Sequence, residues 1–93
     1  MTRGDFYDRL IYLRESVGNY EFEYYHSLEN PFLIEIDSYK QPNDLDSLIE
    51  EMEYFGSAFM LSEQMYLMVE PLKWDLIVDI DLDNDGYYYL ETV

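Results

Sequence analysis

Carboxylates dominate the chemistry this chain can offer. Asp79, Asp81 and Asp83 recur at every second position, with Asp75 earlier in the same run and Asp85 just after it. In a β-strand alternate residues repeat at roughly 6.7 Å, twice the rise per residue. The aspartates would then form a row of negative charge. DNA presents one phosphate per strand about every 3.4 Å of axis, and more widely along its winding backbone. The two charge lattices are comparable. Glu21 with Glu23, Glu35 with Asp37, and Glu50, Glu51 and Glu53 supply further candidate rows. Such a surface can enter the cationic groove of a nucleic-acid-binding protein and release the counterions that nucleic acid would have released. Catalysis has far less to work with. There is one histidine, His26, and no cysteine. Ser57 follows Gly56 without the spacing of a nucleophile elbow. Lys40 and Lys73 lie outside any glycine-rich phosphate loop. With 21 acids in 93 residues, paired carboxylates are unavoidable and none stands out as an acid/base pair. The expectation is a protein that is not an enzyme and takes no cofactor.

One segment suggests a metal. Asp81-Leu82-Asp83-Asn84-Asp85-Gly86 resembles the first half of an EF-hand calcium loop, D-x-D-x-D-G, including the glycine that makes the sharp turn. The full loop needs a bidentate Glu at its twelfth position. Here that position is Thr92, and Glu91 comes one place early. The flanks also read as strands where an EF-hand needs helices. An acidic hairpin tip is the alternative, with Asp81, Asp83 and Asp85 at most a weak cation site.

Eleven tyrosines accompany the acids. Tyr24 with Tyr25, and Tyr87 with Tyr88 and Tyr89, place neighbours on both faces of a strand, so some must be exposed. Tyr25 and Tyr88 are taken as the exposed members. Tyrosine beside carboxylate suits a protein interface: the ring buries area, the hydroxyl pairs, and the acids steer. Packing on the outer face of a thin sheet is the other explanation.

The charge balance excludes whole classes of function. Twenty-one acids face five cations, a net charge of −16. Residues 1–14 hold Arg3, Arg9 and Arg14 against Asp5 and Asp8, a net of +1, so the remaining residues carry −17. That charge repels a phosphate backbone and an anionic membrane surface alike, and it steers association towards basic partners. No apolar run approaches the ~20 residues that span a bilayer. Carboxylates in the first eight residues replace the apolar stretch of a secretory signal. A cytoplasmic protein is expected.

The elements that position these groups follow from periodicity. Residues 1–93 are expected to form a single domain, long enough for one core at 48% hydrophobic and 18% aromatic residues. Thr2 can cap a helix running to about Ser16, with Phe6, Leu10, Leu13 and Val17 on one face and Gly18 ending it. Tyr20, Phe22 and Tyr24 alternate as a strand, as do Phe32, Ile34 and Ile36, and the two are expected to pair as a hairpin across residues 27–31. Asn43 can cap a second helix, with Asp46 three positions on. Its stripe is Leu45, Leu48, Ile49, Met52 and Phe55, and Gly56 ends it. Residues 57–69 read either as a third helix, slightly favoured by the spacing of Ala58, Leu61, Met65 and Met68, or as a hairpin turning near residues 62–64. After Pro71, Leu72, Trp74, Leu76, Val78, Ile80 and Leu82 should face one way, and Lys73, Asp75, Ile77, Asp79 and Asp81 the other. The strand turns at residues 83–86 and returns through Tyr87 to Thr92. The fold expected is α+β, two or three helices on an antiparallel sheet of about four strands.

Small, cysteine-free, strongly acidic α+β chains with dispersed carboxylates and many tyrosines resemble the phage-encoded nucleic-acid mimics. These include anti-CRISPR and anti-restriction proteins and the uracil-DNA glycosylase inhibitor. The resemblance is one of composition over the whole chain and carries no residue-by-residue correspondence. It implies a stoichiometric inhibitor that keeps a nuclease or surveillance complex from nucleic acid, acting in the host cytoplasm if phage-encoded. The partner would be a basic nucleic-acid-binding protein or nuclease. Oligomeric state stays open, a homodimer included. Two alternatives remain: an immunity protein or antitoxin resembling barstar and the colicin immunity proteins, and a small calcium-binding module.

Overall fold

The structure is a computed structural model that describes residues 1–23, 33–36, 41–56 and 61–93. Helix α1 spans Arg3–Ser16. Thr2 caps it from an extended conformation, its Oγ1 accepting the Asp5 N–H at 3.1 Å. The two preceding donors are met from outside the helix: Arg3 N–H bonds the Glu63 carbonyl at 2.7 Å and Gly4 N–H that of Leu61 at 3.0 Å. The first turn therefore leaves few orphan donors and docks on residues 61–63. Phe6, Leu10 and Leu13 are buried as expected, but Val17 is exposed. It falls at the C-cap, where the chain has left the helical stripe. Gly18 takes φ +127°, and its N–H closes on the Leu13 carbonyl.

Helix α2 spans Leu45–Glu51 and continues as a single π-type turn over Met52–Gly56. Its cap is Asp44, one residue later than expected: Asp44 Oδ1 accepts the Ser47 N–H at 2.8 Å. Asn43 instead gives its carbonyl to the Phe22 N–H. Leu45, Leu48, Ile49 and Met52 are buried, and the Phe55 side chain lies outside the described residues.

Three strands, β1 Tyr66–Glu70, β2 Lys73–Leu82 and β3 Tyr88–Thr92, form an antiparallel sheet in the order β1-β2-β3. The helix favoured over residues 57–69 is thus corrected at 66–69, which are strand. Met65 and Leu67 are buried while Tyr66 and Met68 are half-buried, an alternation of two that outweighs the helical spacing. Residues 57–60 lie outside the described residues.

The expected pairing of the two early strands is also corrected. Phe22 makes a single parallel bridge to Tyr88, beyond β3, whereas Ile34 bridges Leu67, beyond β1. The two segments extend opposite edges of the sheet, joined by Tyr88 N–H to Glu21 O at 2.9 Å and by Met68 N–H to Leu33 O at 2.9 Å. Each gains an apolar anchor there, since Phe22 and Ile34 are both buried. The connection at residues 27–31 lies outside the described residues.

β2 departs from simple alternation. Ile77 faces Thr92, yet the next aligned pair is Asp79 with Glu91, which leaves Val78 as an extra residue. A bulge of this kind reverses the facing of everything beyond it. Ile77 and Ile80 are accordingly both fully buried. The expected faces hold on neither side throughout: Asp75 shares the parity of buried Ile77, while Asp79 and Asp81 point away from the core.

The inner face packs Met65, Leu67, Ile77, Ile80, Tyr88 and Leu90 against both helices in one core. Among the described residues, no element covers the outer face. β1 and β2 meet in a two-residue loop, Pro71-Leu72. Leu72 has φ +65°, the left-handed region that costs a non-glycine residue about 1 kcal/mol.

Candidate interaction face

The outer face beyond the bulge gathers acids around one tyrosine. Across the β2–β3 ladder Asp79 stands opposite Glu91, and Asp81 opposite Tyr89. The Tyr89 hydroxyl donates to Glu91 Oε1 at 3.4 Å. Partial burial, with Glu91, Asp81 and Asp79 nearby, pushes that hydroxyl's pKa above its ordinary value. Residues 21–23 run beside β3 and bring Glu21 and Glu23 to the same end of the sheet. A hollow of about 370 Å³ is lined by Glu23, Leu82, Asp83, Asn84 and Tyr89. A second, of about 480 Å³, lies among Asn19, Tyr20, Glu21, Asp44, Asp85, Gly86 and Tyr87. The hairpin tip stands between two acidic, tyrosine-lined hollows. Glu23 is thus brought to Asp83 and Glu21 to Asp85, while Asp79 and Asp81 follow along β2 opposite Glu91 and Tyr89.

The aspartate row also has a local task. β1 does not extend past the bulge, so the Ile80 and Leu82 N–H groups, which alternate away from β3, meet no partner strand among the described residues. Asp79 Oδ1 accepts the Ile80 N–H at 2.8 Å and Asp81 Oδ1 that of Leu82 at 2.9 Å. Asp83 Oδ1 accepts both the Asp85 and Tyr87 N–H groups at 2.9 Å, closing the turn. Charged groups on an exposed strand edge deter pairing with another chain. One oxygen of each carboxylate is engaged in this way, and the negative charge remains. Among the described residues, no group of three or more His, Cys, Asp or Glu is placed to hold a metal ion.

The three arginines lie on α1, and one of them reaches this face. Arg3 pairs with Glu63, Arg9 with Asp79 at 3.5 Å, and Arg14 with Asp46, all three from α1. Asp79 is therefore partly neutralised within the chain, while the ion pairs of the other two arginines reach neither Asp81 nor Glu91.

Several expected residues do not join this face. Tyr88 is corrected: it is fully buried, its hydroxyl donating to the Gly18 carbonyl at 2.7 Å. Its ring lies edge-on to Tyr20, and burial raises its pKa. The parity of Leu90, an aliphatic residue two positions on, was the signal that Tyr88 points inward and that Tyr89 and Glu91 point out. Asp75 faces Leu67 on the inner parity. Glu35 is exposed beyond the β1 edge. Glu50, Glu51 and Glu53 lie on the helical side; Glu53 accepts the Tyr7 hydroxyl at 2.7 Å, which raises the pKa of Tyr7. Asp37, Tyr25 and His26 lie outside the described residues.

No protein family matches the chain, and neither does any curated protein or solved structure. None of the described helices is long and apolar enough to cross a membrane.

Proposed function

We propose that this protein is a nucleic-acid-mimic inhibitor, a stoichiometric binder and not an enzyme. Its target is a basic nucleic-acid-handling protein such as a nuclease, restriction enzyme or CRISPR effector, which it keeps from DNA or RNA. The observation that carries the reading is the acidic end of the outer face. Asp81 and Glu91 flank Tyr89, with Glu23 beside it, and three arginines are held on α1. A cationic groove would meet anions at strand spacing with a tyrosine among them to bury. The excess of acid then has a counterpart, since each carboxylate repels its neighbours until a cation arrives.

The test is capture from nuclease-treated lysate followed by competition. The captured protein should be basic, should lose its nucleic acid binding in the complex, and should be released by duplex DNA or by salt. Capture that neither DNA nor RNA competes, with the target's nucleic acid binding intact, would overturn the reading.

A further inference from the structure

The outer face has an apolar half that the acids do not explain. Before the bulge, Met68 stands opposite Trp74 and Tyr66 opposite Leu76. These residues lie on the parity away from buried Leu67 and Ile77. Trp74 is 42% exposed and Val78 40%. In the β1–β2 loop Leu72 is 96% exposed and holds the left-handed conformation that glycine adopts without strain. A loop that had only to reverse the chain would gain nothing from leucine there. Contact with a partner gives this side chain a use.

The apolar half runs straight into the acidic one. Asp79 and Asp81 follow Trp74 by five and seven positions on one strand, roughly 17–23 Å. From this juxtaposition we infer that the face receives a cationic protein segment with an apolar stretch beside its Lys and Arg cluster. The apolar stretch covers Leu72, Trp74 and Val78, and the cations lie over Asp81 and Glu91. This rests on the acidic-face reading and adds to it an anchor that salt does not screen. Charge selects this occupant over the others: a second copy brings another −16, and an anionic membrane repels the same surface.

Trp74 is the single tryptophan and reports on its own burial. The probe is a synthetic helical peptide of about 20 residues, roughly 30 Å long, with leucines in its first turns and lysines in its last. The control is the same composition scrambled. The ordered peptide should bind about tenfold tighter, the ratio that burying one leucine supplies. It should shift Trp74 emission to shorter wavelength and keep its advantage at raised salt. Leu72→Gly and Met68→Ser should each cut that advantage several-fold while leaving affinity for the scrambled peptide unchanged. Leu72→Gly relieves the backbone, so loss of folding cannot explain the result. Equal affinities with unmoved emission would overturn this inference alone, whereas failure of both peptides would overturn the acidic-face reading with it. An emission shift driven by protein concentration alone would assign the face to a second copy, and one driven by phosphatidylcholine vesicles to a lipid surface; either overturns the proposal.

Discussion

Asp79 and Glu91 stand directly opposite one another across the β2–β3 ladder, on the parity away from buried Ile80 and Leu90. Like charges in that position destabilise a strand pair, here by about 0.5 kcal/mol. Arg9 relieves part of the repulsion, its Nε lying 3.5 Å from Asp79 Oδ1 and 3.3 Å from the Ile80 carbonyl. Glu91→Gln is therefore expected to raise the unfolding free energy of the free protein by an amount of that order, read as an upward shift of the urea midpoint. The same change should slow association with a basic partner. Equilibrium denaturation and stopped-flow binding on one variant check both halves, and a substitution that moved stability and association in the same direction would contradict the argument.

Charge reversal should depend on place, not only on count. Asp81→Lys and Glu91→Lys remove charge at the acidic end of the outer face, whereas Glu50→Lys removes it from the exposed surface of α2. Steering depends on the local potential. The first two are expected to lower the association rate by about tenfold each and to flatten its salt dependence, and the third to change it less than about twofold. Asp79→Lys should fall between them, because Arg9 already neutralises part of that charge. Equal effects from all four would mean that net charge alone drives binding.

How far the sequence foretold this arrangement depends on what each residue had to reveal. Helix α1 was legible to its cap because Thr2, the Phe6–Leu10–Leu13 stripe and Gly18 all act locally. The α+β class and the β2–β3 hairpin were legible for the same reason: alternation and an Asp-Asn-Asp-Gly turn. The bulge at Val78 was not, since an extra residue in one strand is defined only against its partner, Thr92 to Glu91. That single insertion moved Asp75 out of the expected row and turned Ile77 inward. Tyr88 was misplaced for a related reason. Three consecutive tyrosines carry no alternation of their own, and only Leu90 revealed which of them enters the core. The destinations of Phe22 and Ile34, at opposite edges of the sheet, are set by long-range pairing that neither segment encodes.

The Asp44 cap gives the fold a defined acid limb. Burial alone would raise the pKa of this carboxyl, but the N–H and hydroxyl of Ser47 and the amide of Asn19 outweigh it and hold the carboxyl below its ordinary value. A depressed carboxyl contributes stability that is fully present above its unfolded pKa and is lost as pH falls through the folded one. Asp44→Ala is expected to cost about 1 kcal/mol near neutrality, the usual worth of a helix cap. Its deficit should shrink below about pH 4, where the wild-type cap itself is lost. Urea midpoints of both proteins across that range provide the check: parallel curves would show that the cap contributes no pH dependence.

The response of the free protein to salt follows from the charge of −16. The three arginine ion pairs on α1 reach neither Asp81 nor Glu91, the two carboxylates that flank Tyr89. At 0.1 M salt the screening length falls to about 10 Å, which removes much of the repulsion between separated exposed groups while the buried core is unaffected. Raising sodium chloride from about 0.01 to 0.3 M is therefore expected to increase the melting temperature, with most of the gain below about 0.1 M. The Asp81→Lys and Glu91→Lys variants, already relieved of local repulsion, should gain less. Scanning calorimetry at graded salt resolves the comparison. A melting temperature that fell over this range would mean that attractive ion pairs of α1, and not the excess of acid, set the electrostatic balance of the fold.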